Sequence, residues 1–228
     1  MKIKWEAILT VTLVACALLT TGVVMRREFF AVATAKPQED KPSYIEDWRT
    51  QLVGGVRMGP SAAPVQVLEF ADFECPFCGA FHKRLKDLRE RYPSQVALTF
   101  VHFPLAMHRF AMPAARVAEC AGDQGRFEAM YNRLFEEQES FGLKPWSEYA
   151  TAAGVPDIAA FDACIKRTDS VPRIEEGKQL GAKLDVQGTP TLVINGWKLG
   201  HPPSESELGA MVQAVLAGKA PISAGRKS

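Results

Sequence analysis

The sequence predicts an α/β fold in which a βαβ unit and a ββα unit are separated by a helical insertion. Three observations support this prediction. A short apolar segment, Val65–Phe70, is followed directly by a segment with helical periodicity. Consecutive helical patterns then occupy about residues 107–184, with no strand pattern between them. Finally, Asn195-Gly196 is a two-residue hairpin signal, and it precedes a helix that begins with a capping box.

The βαβ unit begins with Val65–Phe70, which is short, apolar and rich in β-branched residues, as expected of a buried strand. The following segment is predicted to be a helix because apolar residues recur in it at spacings of three and four, namely at Phe81, Leu85 and Leu88. Val96–Phe103 alternates and predicts the second strand. Upstream, Tyr44–Leu52 predicts a short helix and Val56–Met58 a short edge strand.

The insertion and the ββα unit complete the order of elements. Five insertion helices are predicted, at Met107–Ala121 with a kink or break at Pro113, Arg126–Gln138, Trp146–Ala153, Ile158–Arg167 and Val171–Leu184. The ββα unit consists of two strands and a helix, predicted at Thr191–Ile194, at Trp197–Leu199 and from Ser204 onward. With the insertion removed, this order of elements is that of a thioredoxin fold.

Two cysteines, Cys75 and Cys78, lie at the predicted junction of the first strand and the first helix. The free N–H groups and the positive dipole end of a helix favour an anion, so a thiol there loses its proton more readily. Cys75 is the predicted nucleophile because it comes first. Cys78 lies three residues later on the same helix face and can form or resolve a disulfide with it. Pro76 suits the first helical position, where no N–H partner is needed.

Composition excludes some classes of partner and of site. The chain has 228 residues and a formal net charge of +1, so nothing indicates a nucleic-acid partner. A zinc site is not predicted, because no second close pair of cysteines exists and the four histidines are scattered. Five cysteines are present, and Cys16 is the odd one because it lies in the N-terminal apolar segment.

Residues 1–30 are predicted to be a membrane-spanning signal anchor, since the stretch from Ala7 to Met25 is almost uninterruptedly apolar and is flanked by basic residues. Two alternatives stay open. Leu13-Val14-Ala15-Cys16 resembles a bacterial lipobox, and Ala33-Thr34-Ala35 has the form of a cleavage site. All three interpretations place the rest of the chain outside the cytoplasm. Residues 31–43 are predicted to be a linker, 44–218 the folded domain and 219–228 a tail.

Several of these segments together resemble the DsbA family of thiol–disulfide oxidoreductases, and in particular its membrane-tethered or secreted bacterial members. The segments are Phe70–Cys78, His102–Leu105, Ala118–Ala121 and Gly188–Gly196. The resemblance covers about residues 55–217. A Cys-x-x-Cys pair by itself is a weak signal, but a Thr-Pro some 110 residues later, just before a β-hairpin, makes it specific.

The resemblance implies roles for residues around the cysteine pair. Pro190 would be a cis-proline packed against Cys75 and Cys78, and Thr189 before it would contact the substrate, as would Pro76 and Phe77. Glu69 matches the family's buried acid, which takes up or relays the proton of Cys78. The alternative for Glu69 is a partly exposed strand acid without a role. Asp72, Glu74 and His82 are expected at the surface, with tuning of the site as the alternative for His82.

Cys120 and Cys164 are expected to form a structural disulfide, as relatives of this type often have such a bridge and leftover cysteines usually pair in an oxidising compartment. The alternative is two buried free thiols.

The resemblance implies an enzyme that needs no cofactor and forms disulfides in secreted proteins. It would act as a monomer and be reoxidised by a membrane redox partner. Reductase or isomerase activity is the alternative, because Phe77 stands where the best-known oxidants carry a histidine. A third possibility is a binding module in which Cys75–Cys78 is a static disulfide.

Overall fold

The computed structural model describes Trp5, Leu9 and residues 12–21, 41–52 and 54–222, and it divides the chain into two units, residues 1–40 and 41–228. In the first unit, residues 12–21 are helical. Among the described residues, no helix combines the length and the apolar character needed to cross a membrane. Most of the predicted anchor, residues 31–40 of the predicted linker and the end of the predicted tail lie outside the described residues.

The second unit is built on a mixed six-stranded sheet with the order β1-β6-β5-β3-β4-β2. The strands are β1 Ser43–Tyr44, β2 Val56–Met58, β3 Val65–Ala71, β4 Val96–His102, β5 Thr191–Ile194 and β6 Trp197–Lys198. β3 pairs in parallel with β4 and antiparallel with β5, and the remaining pairs are antiparallel. The edge position predicted for Val56–Met58 is confirmed.

Seven helices are described in this unit. They are α1 Pro76–Arg91, α2 Ala111–Gly122, α3 Phe127–Glu136, α4 Trp146–Ala152, α5 Ile158–Ile165, α6 Pro172–Lys183 and α7 Glu205–Leu216. Helices α2 to α6 follow β4 and precede β5, so the predicted helical insertion lies between a βαβ unit and a ββα unit. The predicted thioredoxin fold with a helical insertion is confirmed.

Two predicted helices differ from the structure. The helix predicted from Met107 begins only at Ala111, so Pro113 lies in its first turn, where a missing N–H costs nothing, and it does not split the helix. The helix predicted over Tyr44–Leu52 is a 3₁₀ turn at Trp48–Leu52, because Ser43 and Tyr44 pair with β6 as a short strand. Tertiary pairing at the sheet edge overrides the local pattern there.

The two faces of the central strand β3 pack against different parts of the core. Val65, Val67 and Ala71 pack in the larger cluster, with α1 and α3, whereas Leu68 and Phe70 pack in a second cluster on the other face. Side chains of a strand alternate between faces, so the buried Glu69 belongs to the first set and faces the helices. β3 therefore carries the buried Glu69, and the turn at its carboxyl end leads into Cys75.

A disulfide links two helices of the insertion. Cys120 on α2 and Cys164 on α5 are bonded, with their Cα atoms 5.9 Å apart and a sequence separation of 44. The bond ties α5, which has one fully enclosed apolar side chain, Phe161, to the well-packed α2.

Replacing both cysteines, Cys120→Ala and Cys164→Ala, is expected to lower the free energy of unfolding by about 4 kcal/mol, because the bridge no longer closes a long loop in the unfolded chain. Urea unfolding followed by circular dichroism measures this loss. Cys16→Ala serves as the control, since Cys16 lies in the other unit. Equal unfolding midpoints for the double variant and the control would show that the bridge adds no stability.

Candidate active site

Cys75 lies immediately before α1. It is the N-cap residue, with φ −68° and ψ 119°. Its carbonyl accepts the first helical hydrogen bond, from the N–H of Gly79 at 3.1 Å, and Pro76 follows as the first helical residue. The sulfur therefore lies where backbone N–H groups and the helix dipole favour negative charge.

The surroundings of Cys75 stabilise its thiolate. A hydrogen bond from the Cys78 thiol is the largest cause, and bonds with Thr189 and with the backbone N–H groups of Cys78 and Phe77 add to it. Burial opposes them, and the net effect lowers the pKa of Cys75 from 9.0 to about 5. In its thiol form, Cys75 Sγ donates to the Thr189 carbonyl at 3.4 Å. The Thr189 hydroxyl is buried without another partner among the described residues, so it is free to donate to the thiolate.

Cys78 has the opposite proton affinity. Its side chain is fully buried, and burial, the hydrogen bond to Cys75 and the nearby Glu69 carboxyl all raise its pKa far above that of an ordinary thiol. The two sulfurs of one motif thus differ strongly in acidity: Cys75 is a thiolate at neutral pH, and Cys78 keeps its proton. Cys75 is therefore suited to act as nucleophile or leaving group, and Cys78 is the buried thiol suited to resolve a mixed disulfide.

Glu69 lies beneath the pair with an exposed fraction of 0%. Burial raises its pKa from 4.5 to about 8, and a hydrogen bond from the Tyr131 hydroxyl to Oε2, at 3.3 Å, opposes this only in part. The structure therefore does not support the alternative of a partly exposed strand acid. At neutral pH the carboxyl group is mostly protonated, and its proton affinity is suited to exchange with a neighbouring thiol.

The other residues predicted around the cysteines also lie at the site. The peptide bond between Thr189 and Pro190 is cis, and Pro190 is buried. Pro76 and Phe77 are exposed, and 72% of Phe77 is accessible, so an apolar ring projects from the surface directly between the cysteines.

Gln138 is a site residue that sequence reasoning missed. It lies in a 3₁₀ turn of the insertion, and its Nε2 donates to the carbonyls of Phe73 at 2.5 Å and Cys75 at 3.0 Å. A Cβ atom at residue 79 would lie 2.1 Å from Gln138 Oε1, so any larger residue at Gly79 would displace this amide. No sequence signal links residue 138 to residue 75, because only the folding of the insertion onto the turn brings them together.

The expectation that Asp72 lies at the surface is wrong, and Glu74 is only partly exposed. Asp72 is 2% exposed, and its two carboxylate oxygens accept from the N–H of Glu74 at 2.8 Å, the N–H of Leu105 at 2.9 Å and His108 Nδ1 at 2.7 Å. Glu74 is half-buried and accepts from the N–H of Phe110. Both carboxylates hold the loop after β4 against the active-site turn.

The expectation that His82 lies at the surface is also wrong. It is 2% exposed, and its ring packs against those of Tyr131 and Phe135 on α3, at centroid distances of 5.0 and 5.2 Å. Burial lowers its pKa from 6.5 to about 4. The local pattern misled the prediction because α3, which covers this face of α1, comes from the insertion.

No group of three or more potential metal ligands occurs in the described part of the chain.

The fold and the paired cysteines define a thioredoxin-fold protein with a thiol pair at the start of its first sheet-covering helix. A family model described as Thioredoxin matches residues 51–214, and the chain belongs to this family.

Curated relatives match over a stretch of similar length. The chain is 32% identical over 164 residues to a protein named Na(+)/H(+) antiporter NhaA 1 of Mycolicibacterium gilvum, a match that covers 71% of this chain and 26% of that relative. It is 33% identical over 160 residues to NhaA 3 of Salinispora tropica, covering 70% of this chain and 24% of the relative. The chain thus spans about a quarter of the length of these relatives, and the transport activity in their names is not extended to it.

Solved structures share the fold. The catalytic domain of Proteus mirabilis ScsC has a TM-score of 0.61 and 23% identity, covering 74% of this chain and 94% of its own. BdbD of Bacillus subtilis has a TM-score of 0.64 and 20% identity, covering 72% and 94%. Wolbachia pipientis alpha-DsbA1 has a TM-score of 0.61 and 21% identity, covering 71% and 90%. The predicted DsbA-type architecture is confirmed at the level of the fold.

Replacing Gln138 with leucine is expected to raise the pKa of Cys75 by about one unit, because two carbonyls near the sulfur lose their N–H donors. Titration of thiolate absorbance in the ultraviolet measures this shift. Gln124→Leu is a matched control, since Gln124 bonds to Asp157 elsewhere in the insertion. If both variants titrate like the unmodified protein, Gln138 does not influence the thiolate.

The raised pKa of Glu69 also predicts how stability depends on pH. The folded protein holds this proton more tightly than the unfolded chain, so stability is full below pH 4.5 and falls as the pH rises toward 8. The slope is at most about 1.4 kcal/mol per pH unit. Glu69→Gln should remove this fall. Urea unfolding of the disulfide form, in which neither Cys75 nor Cys78 titrates, tests this, and identical slopes in both proteins would contradict it.

Proposed function

We propose that this domain is a thiol–disulfide oxidoreductase that exchanges its Cys75–Cys78 disulfide with the thiols of proteins outside the cytoplasm, and that it acts as a disulfide-forming oxidase. The observation that carries the proposal is the opposite shift in acidity of the two thiols. A stable Cys75 thiolate is a good leaving group, and it favours the reduced form of the pair, which makes the disulfide form oxidising.

The reaction requires two exchange steps. A substrate thiolate attacks Cys75 Sγ, a substrate–Cys75 disulfide forms and the Cys75–Cys78 bond breaks. Cys78 leaves as a thiolate and takes a proton from the Glu69 carboxyl. The second substrate thiol, once deprotonated, attacks the substrate sulfur of the mixed disulfide and releases Cys75 as a thiolate. The substrate loses two electrons and gains a disulfide, and the enzyme pair is reduced.

Residues around Cys75 are suited to hold an extended polypeptide. We assign Thr189, Pro190, Pro76 and Phe77 to substrate binding. Support comes from the contact of Thr189 with Cys75 Sγ and from the exposure of Pro76 and Phe77 beside it. An exposed aromatic ring offers apolar contact without selecting a particular sequence.

The absence of a histidine between the cysteines does not by itself favour the reductase alternative. Phe77 contributes its backbone N–H to the Cys75 thiolate, and the larger contribution comes from the Cys78 thiol. These donors are present whichever side chain follows Pro76. An oxidase is therefore favoured over a reductase or isomerase.

An oxidising compartment is the proposed location. The Cys120–Cys164 disulfide supports it, since such bonds persist outside the cytoplasm. A structural neighbour from Salmonella enterica, with 22% identity, is titled a periplasmic thioredoxin-like protein. Reduced secreted proteins are the proposed substrates, and a membrane redox partner would reoxidise the pair. We assign export to residues 1–30, and the mass of the mature protein distinguishes retention, lipidation at Cys16 and cleavage.

The reduction potential tests the direction of exchange. Equilibration of the Cys75–Cys78 pair with glutathione buffers should give a potential above about −150 mV, whereas a value near about −270 mV would identify a reductant. Oxidation of a reduced model protein should be lost in Cys75→Ser and retained in a Cys120→Ala, Cys164→Ala variant. Equal activity of Cys75→Ser and the unmodified protein would instead indicate that the pair is a static disulfide in a binding module.

A further inference from the structure

Three side-chain atoms of His82 and Glu69 are buried without hydrogen-bond partners. Neither Nδ1 nor Nε2 of His82 has a partner among the described residues, and the same holds for Oε1 of Glu69. Burying an unpaired polar group is unfavourable, and most native structures avoid it. A phenylalanine would fill the place of His82 between two aromatic rings without this cost. The imidazole therefore calls for a functional explanation.

The proposed chemistry moves a proton at a site that solvent does not reach. Cys78 gains or loses a proton in each half of the redox cycle, and Glu69 is its exchange partner. Both side chains have an exposed fraction of 0%. Once Glu69 has given up its proton, it needs another from solvent before the next cycle, so the site needs a path for protons to the surface.

The side chains along α1 and α3 outline such a path. Tyr131 donates its hydroxyl hydrogen bond to Glu69, and its ring meets the His82 ring edge to face at 5.0 Å. Cys78, His82 and Lys86 follow one another at intervals of four residues, so they lie along one stripe of α1. Lys86 Nζ forms an ion pair at 2.8 Å with Glu136 of α3, and both of these side chains reach solvent.

We propose that His82 is a positioning residue that carries protons between the buried Glu69–Tyr131 pair and the solvent-exposed Lys86–Glu136 pair. The proposal rests on the proposed function, because only disulfide exchange at Cys78 requires this proton. The imidazole is suited to the task because each of its two nitrogens can accept a proton while the other gives one up. The torsion that turns an imidazole ring has a broad preference, and a turn of the ring that brings a nitrogen toward the Tyr131 hydroxyl is part of the proposed relay.

The proton balance is closed in both directions. When the enzyme disulfide is reduced, Cys78 takes the proton of Glu69, and His82 passes a replacement inward through the Tyr131 hydroxyl. When the pair is reoxidised, Cys78 gives its proton to the Glu69 carboxylate, and one proton leaves by the same route. His82 is neutral before and after each transfer, so it changes the rate of exchange and not its equilibrium.

The titratable groups that surround His82 come from α3 and from its own helix. Tyr131 and Glu136 face it from α3, and the charged neighbours on α1 are Lys83, Lys86 and Arg89. Glu136 favours the imidazolium, the three basic residues disfavour it, and burial is the strongest influence and keeps the ring neutral. A neutral ring that protonates only transiently matches a relay, whereas a permanently charged one would hold its proton.

The decisive variant is His82→Phe, which keeps an aromatic ring of similar size between Tyr131 and Phe135 and removes both nitrogens. The rate of reduction of the Cys75–Cys78 disulfide by excess dithiothreitol, measured by stopped-flow fluorescence from pH 5 to 9, should fall about tenfold at pH 7. The reduction potential should stay unchanged, and the melting temperature should rise because the unpaired nitrogens are gone.

If His82 had only a structural role, the His82→Phe variant would not be both slower and more stable than the unmodified protein. His201→Phe, the same change at an exposed histidine, is the matched control and should alter neither quantity. In His82→Ala, added imidazole should restore at least half of the lost rate, while leaving the rate of the unmodified protein the same.

Unmodified rates in His82→Phe across the pH range would overturn the proposal, and so would a slow His82→Ala variant that folds but gains nothing from imidazole. If His82→Ala does not fold, the phenylalanine variant alone decides. An unmodified protein that shows no thiol–disulfide exchange would instead overturn the proposed function. The two failures are therefore distinguishable.

Discussion

Burial of the Cys78 thiol and the Glu69 carboxyl beneath the start of α1 is the constraint on which the rest of the site depends. Both groups are removed from water, so both keep their protons at neutral pH. The retained proton of Cys78 is then available as a hydrogen-bond donor to Cys75, and this is the largest cause of the low pKa of that thiol. One structural feature, a thiol buried under a helix start, thus sets the acidity of two sulfurs in opposite directions.

The helical insertion maintains this burial. Tyr131 and Phe135 on α3 cover the face of α1 that carries His82, and Tyr131 hydrogen-bonds to Glu69. Gln138, just beyond α3, holds the carbonyls of the active-site turn. The insertion therefore contributes residues to the active site itself. A thioredoxin fold without it would expose Glu69 and His82 to water, and both would return toward their ordinary pKa values.

Local sequence patterns were enough to predict the framework. Val65–Phe70 has apolar side chains on both faces because β3 lies in the centre of the sheet and is covered on both faces. The capping box at Ser204 and the hairpin at Asn195-Gly196 are short-range signals, and both occur as predicted. The prediction erred at Tyr44, where pairing with β6 across a sequence distance of more than 150 residues decides the conformation.

The sequence by itself determined the fold class and the position of Cys75 and Cys78 within it, because strand and helix periodicity are local properties, and the resemblance to the DsbA family added the positions of Glu69 and Thr189-Pro190. Only the tertiary structure decided which polar groups are buried. Asp72 and His82 resemble surface residues in sequence, yet segments distant along the chain cover them. Burial depends on what packs against a residue from elsewhere, and it is burial that sets the proton affinities on which the proposed chemistry depends.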